Sequence, residues 1–241
     1  MNTLAIQCQN VCKSYGRHQV LDGVDLEVPE GNFYGLVGIN GSGKSTMIKA
    51  ILDLVSIDGG FIKLFDESHR KVSARAQVAY LPDRFSPPIH LKCKDFIQYM
   101  MELHSSSQNN GKIFEMLDAL ELDRGTMESS VKSLSKGMTQ KLGLTSCLLS
   151  NKSLLILDEP MSGLDPKARV LFKKQLFKLK EQGVTLFFSS HVLADVDDLA
   201  DTMAVLHKNR ILYEGTSAEF KNTYNGSSLE DAYINCVNTV E

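Results

Sequence analysis

The chain has 241 residues, of which 43% are hydrophobic and 23% are charged, and its formal net charge is −3. This length suits one α/β domain with a full core, and the balanced charge argues against a surface that binds nucleic acid. No apolar run is long enough to cross a bilayer, and the N-terminus lacks the layout of a signal peptide, so a cytoplasmic protein is expected.

Short apolar runs alternate with helical patterns along the chain, which predicts a parallel β-sheet with helices on its faces. Several runs are continuously hydrophobic, as expected for strands that are covered on both faces. The earliest strands are expected to form an antiparallel β-flap. The predicted strands are Leu4–Val11, Leu26–Val28, Phe33–Val37, Phe61–Leu64, Val78–Leu81, Leu154–Leu157, Thr185–Ser189 and Met203–Leu206.

A phosphate-binding motif directly follows the predicted strand Phe33–Val37. Residues 38–46 have the spacing G-x-x-x-x-G-K-S/T, and their glycines allow backbone N–H groups to point at phosphate oxygens. Lys44 can reach the β- and γ-phosphates, while the Ser45 hydroxyl can bind Mg²⁺. A nucleoside triphosphate is therefore the predicted ligand. Its predicted binding residues in this loop are Asn40, Gly41, Ser42, Gly43, Lys44, Ser45 and Thr46.

The region from about 84 to 150 has a different pattern. It opens with two prolines and then shows helical periodicity on both sides of the polar stretch Ser105–Gly111. This pattern predicts a mainly helical subdomain inserted between two strands of the core. Because no linker divides the chain, residues 1–241 are predicted to form a single domain.

Two carboxylates follow the apolar run Leu154–Leu157. A strand buried on both faces would place Asp158 at the carboxyl edge of the sheet, beside the phosphate-binding loop. There Asp158 can hold Mg²⁺ through water, and Glu159 can orient and deprotonate an attacking water. Asp158 and Ser45 are thus predicted metal ligands, and Glu159 is the predicted catalytic base.

The five cysteines form an odd set without a C-x-x-C pair. No neighbouring histidine or cysteine completes a metal quartet. Buried or free thiols in a reducing compartment are expected.

Three further motifs occur in a characteristic order, and with them the chain resembles the ATP-binding-cassette (ABC) ATPase family. Leu134–Met138 reads LSKGM and matches the family signature LSGGQ in a variant form. Ser162–Asp165 matches the D-loop, and Ser189–His191 matches the loop of the switch histidine. The likeness extends over almost the whole chain. It implies a P-loop NTPase core of the RecA-like type, with an antiparallel β-flap, an inserted α-helical subdomain and a short C-terminal extension at about 222–241.

The resemblance also implies ATP and Mg²⁺ as ligands and assigns roles to individual residues. Tyr15 lies where the family stacks an aromatic ring on adenine, and His191 takes the catalytic switch position. Ser135 and Gly137 would bind the γ-phosphate of a nucleotide held by a second cassette, expected to be a copy of this chain. The implied assembly is a head-to-tail dimer that encloses two ATP molecules.

Asp83 departs from the family pattern, because it stands after Tyr80–Pro82 where the Q-loop carries glutamine. An amide can donate and accept hydrogen bonds, whereas an ionised carboxylate only accepts. Asp83 either brings its charge towards Mg²⁺ and the water or, being shorter, points elsewhere. The hypothesis adopted here is that Asp83 still links the nucleotide state to the helical subdomain, with catalytic and metal-binding roles.

The implied function is that of the ATP-hydrolysing subunit of a transporter in the prokaryotic exporter branch. It would act at the cytoplasmic face of the cell membrane through a separately encoded integral membrane permease, without a nucleic-acid partner. A soluble mechanical ATPase of the same family is the alternative, although the tandem cassettes or long coiled coil usual in that class are not seen. A GTPase is disfavoured because Asn151–Leu154 lacks the aspartate of an N-K-x-D motif, and the signature has no role in a small-molecule kinase. The transported substrate stays open.

Overall fold

The computed structural model describes residues 3–107 and 109–239. The strands in chain order are β1 (Leu4–Tyr15), β2 (His18–Pro29), β3 (Phe33–Val37), β4 (Gly59–Leu64), β5 (Glu67–Ser68), β6 (Val78–Leu81), β7 (Leu154–Leu157), β8 (Thr185–Ser190), β9 (Thr202–His207) and β10 (Arg210–Gly215). The helices are α1 (Lys44–Ile51), α2 (Val72–Arg75), α3 (Cys93–Leu103), α4 (Asn110–Ala119), α5 (Lys136–Leu148), α6 (Pro166–Glu181), α7 (Leu193–Leu199), α8 (Ser217–Thr223) and α9 (Leu229–Asn238). Short 3-10 helices occupy Arg124–Glu128 and Val131–Ser133.

The strands form two sheets. The larger sheet has the order β10-β9-β3-β8-β7-β6, in which only β10 runs antiparallel to its neighbour. The smaller sheet has the order β2-β1-β4-β5 and is antiparallel throughout. The predicted α/β class with an antiparallel β-flap is therefore confirmed.

Strands β3, β7 and β8 are buried along their whole length because both faces of the larger sheet are covered. On one face, Phe172 of α6 and Val196 of α7 pack against Phe188. On the other face, Met47 of α1 packs with Phe187 and with apolar residues of the flap. Burial on both faces explains why these strands read as continuous apolar runs.

Some strand boundaries differ from the sequence prediction. The run Leu4–Val11 covers only part of β1, and Leu26–Val28 covers only the end of β2, because the two strands form one long hairpin. Its outer half mixes buried residues such as Val20 and Leu21 with exposed polar ones such as His18 and Gln19, so it lacks the continuous apolar run on which the prediction relied. Strand β10 was not predicted, and none of its residues is fully buried.

Helices α3, α4 and α5 lie between β6 and β7 in the chain, in the region predicted to be helical. They share a separate apolar cluster that includes Phe96, Leu117 and Leu142. Phe85 belongs to the edge of this cluster and also packs against the cluster on the sheet. Phe85, two residues after Asp83, therefore contacts both the helical region and the sheet.

The parallel register brings the ends of several strands to the same edge. Val37 of β3 pairs with Ser190 of β8, and Leu81 of β6 pairs with Leu157 of β7. The residues that follow these strands must share the carboxyl edge of the sheet, where open α/β sheets bind ligands.

In the part of the chain that the structure describes, no helix has the length and apolar character needed to span a membrane. All five cysteines are free thiols, and four of them are buried.

Candidate functional site

The phosphate-binding loop follows β3 and ends where α1 begins at Lys44. Gly43 has φ 112°, and a Cβ there would lie 2.8 Å from the backbone oxygen of Val20. A Cβ on Gly38 would lie 2.4 Å from the Ser42 hydroxyl oxygen. Since Cβ contacts this short do not occur in proteins, the observed path of the loop requires glycine at both positions.

The Lys44 side chain is folded into the loop and is only 6% exposed. Its Nζ donates hydrogen bonds to the carbonyl oxygens of Gly38 at 2.7 Å and Ile39 at 3.3 Å. The same Nζ lies 3.4 Å from Glu159 Oε1. The loop therefore holds one buried cation directly opposite the predicted catalytic base.

Asp158 and Glu159 follow β7 at the carboxyl edge, as the sequence predicted, and both depend on Ser189. The Ser189 hydroxyl donates to Asp158 Oδ1 at 2.6 Å and accepts from the Glu159 N–H at 2.9 Å. Ser189 belongs to the motif Ser189–His191 but was not predicted as a site residue. Its position near the end of β8, two residues before His191, was the signal that could have identified it.

Glu159 lies between Lys44 and His191. Its backbone has φ 48°, uncommon for a residue with a side chain, and its Oε2 lies 2.8 Å from His191 Nδ1. The positive φ turns the Glu159 side chain from the end of β7 towards the phosphate-binding loop. A carboxylate held by these two groups can accept a proton from a water molecule in the cleft.

The predicted residues of the loop and their neighbours line a cleft of about 350 Å³. Asp83 and Glu159 also line an adjoining cleft of about 680 Å³, which His191 and Lys136 border. The smaller cleft is lined by Tyr15, Val20, Asn40, Gly41, Gly43, Lys44, Ser45, Thr46, Asp83 and Glu159. The structure thus brings most of the predicted site residues together.

Tyr15 ends β1 at the mouth of the smaller cleft, where 49% of its surface is exposed. The Lys13 ammonium lies 5.3 Å from the centre of its ring, within the range of a cation–π contact. An exposed aromatic face at this position can stack on a base.

Asp83 lines the same cleft as Glu159. Burial, and then the charges of Asp158 and Asp83, raise the pKa of Tyr80 to about 12.

Ser135 and Gly137 occupy a different place from the other predicted residues. Ser135 caps α5 by accepting a hydrogen bond from the Met138 N–H at 3.3 Å, and it is exposed. Neither residue is among those that line the cleft of the phosphate-binding loop in the described part of the chain. A Cβ on Gly137 would lie 3.2 Å from the backbone oxygen of Gly163, so the start of α5 lies against the D-loop.

The residues present fit a nucleoside triphosphate and Mg²⁺. A Cβ added at Gly41 would meet nothing within 4 Å, and the buried Ser42 hydroxyl has no hydrogen-bond partner among the described residues, so the loop offers open space and a polar group for a ligand. The nearby oxygen donors Ser45, Asp158 and Asp83 are of the type that Mg²⁺ prefers.

This fold and site define a P-loop nucleoside triphosphatase. The family model described as ABC transporter matches residues 21–162, more than half of the chain. The chain therefore belongs to the ABC transporter family, as an ATP-binding subunit with ATPase activity.

Individual relatives agree with this assignment. An uncharacterized ABC transporter ATP-binding protein of Synechocystis is 34% identical over 81% of this chain, which spans only 56% of that protein's length. The lantibiotic transport ATP-binding protein SrtF of Streptococcus pyogenes is 31% identical, over 95% of this chain and 96% of its own. A solved ATP-binding subunit of an ABC transporter has a TM-score of 0.88 at 26% identity, with 97% of this chain and 99% of its own covered. The resemblance to the ABC ATPase family is confirmed.

Proposed function

We propose that this chain is the ATP-hydrolysing subunit of an exporter, in which two cassettes enclose two ATP molecules and drive a separately encoded membrane permease. The proposal places the chain at the cytoplasmic face of the membrane, held there by the permease. The observation that carries it is the position of Glu159 between Lys44 and His191 at the phosphate-binding loop.

The dimer is proposed because one copy supplies an incomplete site. Lys44 lies in the phosphate-binding cleft, whereas the exposed Ser135 at the start of α5 does not line it. A helix N-terminus with an exposed hydroxyl that can still donate suits a phosphate group, and a second copy in head-to-tail orientation would present it to the γ-phosphate. Each nucleotide would then contact Lys44 of one copy and Ser135 with Gly137 of the other.

In the proposed hydrolysis, Glu159 accepts a proton from the attacking water. His191 orients the Glu159 carboxylate through their 2.8 Å contact, and Lys44 binds the phosphates whose charge grows during the reaction. When bound, Mg²⁺ would neutralise charge between the β- and γ-phosphates, held by Ser45 and, through water, by Asp158. Closure of the dimer would exclude bulk water from this site.

Asp83 is proposed to connect the site with the permease. It borders both clefts, and two residues later the ring of Phe85 packs edge-on against Phe96 of α3, with centroids 5.8 Å apart. Closely packed aromatic rings transmit small displacements, so a shift of Asp83 would move the helical region. The exposed Ile89 beyond it is a proposed part of the surface that receives the permease.

Export is supported by a relative named for it, the Nod factor export ATP-binding protein I of Cupriavidus metallidurans, which is 32% identical over 96% of this chain. The cargo of the present chain is not assigned, because the substrate path would lie in the permease.

The test replaces Glu159 with glutamine, which keeps the shape but cannot accept the proton. We expect ATP binding to persist and turnover to fall by about 10²–10⁴-fold. Sedimentation with ATP should show a stable dimer, whereas Glu115→Gln, on the exposed side of α4, should behave as the unmodified chain. Near-normal turnover in Glu159→Gln would exclude Glu159 as the principal base, and a strictly monomeric ATP-bound variant would exclude the proposed dimer. Affinity capture from solubilised membranes then tests for the permease.

A further inference from the structure

A single arginine connects the D-loop, Ser162–Asp165, with the helix that follows His191. Arg169 lies in the first turns of α6, and its Nε donates a hydrogen bond to the Leu164 carbonyl oxygen at 3.3 Å. Its Nη1 lies 3.6 Å from Oδ2 of Asp195 in α7. One guanidinium group therefore contacts the D-loop backbone and α7 at the same time.

Asp195 is suited to receive such a contact. It lies in the first turn of α7, which begins two residues after His191, and its side chain is only 5% exposed. Its Oδ1 forms an ion pair with Lys173 Nζ at 2.9 Å. Its Oδ2 has no hydrogen-bond partner among the described residues and faces Arg169. Burial alone would lower the pKa of Lys173, but its contacts with Asp195 and Asp198 raise it. A buried carboxylate needs these cations, because an unpaired charge is costly to bury.

The D-loop is also attached to the catalytic strand and to the signature. The Ser162 N–H donates to the Glu159 carbonyl oxygen at 3.0 Å. On its outer side, Gly163 lies against the Lys136 side chain and Gly137 at the start of α5. A movement of the signature against the D-loop would therefore displace the Leu164 carbonyl group and, with it, the Arg169 side chain.

From this arrangement we infer that Arg169 and Asp195 are positioning residues for hydrolysis, and that they set the contact between His191 and Glu159 according to the position of the D-loop. Arginine suits this task because its planar guanidinium holds two acceptors in a fixed relative geometry. The inference rests on the roles proposed above for Glu159 and His191. It adds a set of contacts through which the proposed dimer interface would control Glu159 and His191.

The test measures kcat, KM for ATP and the Kd of a non-hydrolysable ATP analogue in the full chain. Arg169→Met removes both contacts, and Asp195→Asn removes the charge while keeping the size. Each should lower kcat about tenfold, because small displacements of catalytic groups carry large rate penalties, and should leave Kd within about twofold. The double variant should be no slower than the slower single variant, because both changes remove one connection.

The matched control is Lys180→Met, which breaks the ion pair with Asp201 near the other end of α6 and should leave kcat unchanged. If Arg169→Met does not fold, Asp195→Asn decides the result. A kcat within about twofold of the unmodified chain in the folded variants, or an equal loss in Lys180→Met, would overturn the inference. Glu159→Gln is measured in the same series, so that normal turnover there identifies a failure of the proposed mechanism rather than of the positioning role.

Discussion

Replacement of Ser189 by alanine should damage the site more than its size suggests. Ser189 is fully buried, and its hydroxyl satisfies both the Asp158 carboxylate at 2.6 Å and the Glu159 N–H at 2.9 Å. Alanine leaves a buried amide without a partner, at about 1–3 kcal/mol, and removes a bond to a charged group, at about 1.5–3 kcal/mol. We therefore expect the free energy of unfolding to fall by about 2.5–6 kcal/mol, a large share of the ~5–15 kcal/mol typical of a domain.

Urea denaturation followed by circular dichroism measures this loss. Ser190→Ala is the matched control, because among the described residues the Ser190 hydroxyl forms hydrogen bonds with the backbone of Val192 alone, at 3.0 and 3.2 Å, and its loss should cost about 1 kcal/mol. ATP turnover should fall further in Ser189→Ala than in Ser190→Ala, since Asp158 and Glu159 lose their common support. A Ser189→Ala variant as stable and active as Ser190→Ala would show that Ser189 does not support Asp158 and Glu159 in this way.

Replacing Gly43 with alanine would place a Cβ 2.8 Å from the Val20 carbonyl oxygen at φ 112°, so binding of a fluorescent ATP analogue should be lost. Retention of normal affinity would show that the loop can take another path. Asp58 accepts a hydrogen bond from the Ser14 N–H and pairs with Lys13, which together hold its pKa below the ordinary value of 3.8. Because the folded-state pKa is lowered, this contribution to stability is present at neutral pH and is lost as pH falls through the folded-state value. The unmodified chain should therefore melt at a higher temperature than Asp58→Asn, with the largest difference at pH 7 and a smaller one below about pH 4. A difference that does not change with pH would contradict this reasoning.

The fold was predictable from the sequence where burial leaves a continuous apolar run. The predicted bounds of β3, β6 and β7 equal the observed ones. Strands β3 and β7 lie inside the sheet and are buried throughout, whereas β6 lies at its edge and is still marked by the buried Ala79 and Leu81. The outer half of the β1–β2 hairpin mixes buried apolar residues with exposed polar ones, and the edge strand β10 has no fully buried residue. Backbone pairing, rather than apolar burial, defines them, and pairing leaves little trace in a single sequence.

The site divides in the same way. Residues 38–46 form one contiguous motif, so their chemistry could be inferred without knowledge of the fold. The position of Asp83 was ambiguous in the sequence, and only the structure shows that it lines the same cleft as Glu159. The roles of the predicted residues in binding and catalysis stay predictions until the variants above are measured.

By itself, the amino-acid sequence determined the phosphate-binding loop, the alternation of strands and helices, and the family. These properties depend on residues that are neighbours in the chain. Only the tertiary structure decided that Ser189 supports both carboxylates and that Arg169 contacts Asp195, because parallel register and helix packing bring together side chains that are distant in sequence. Local patterns specify what each segment can do, whereas the packing of segments determines which groups act on one another.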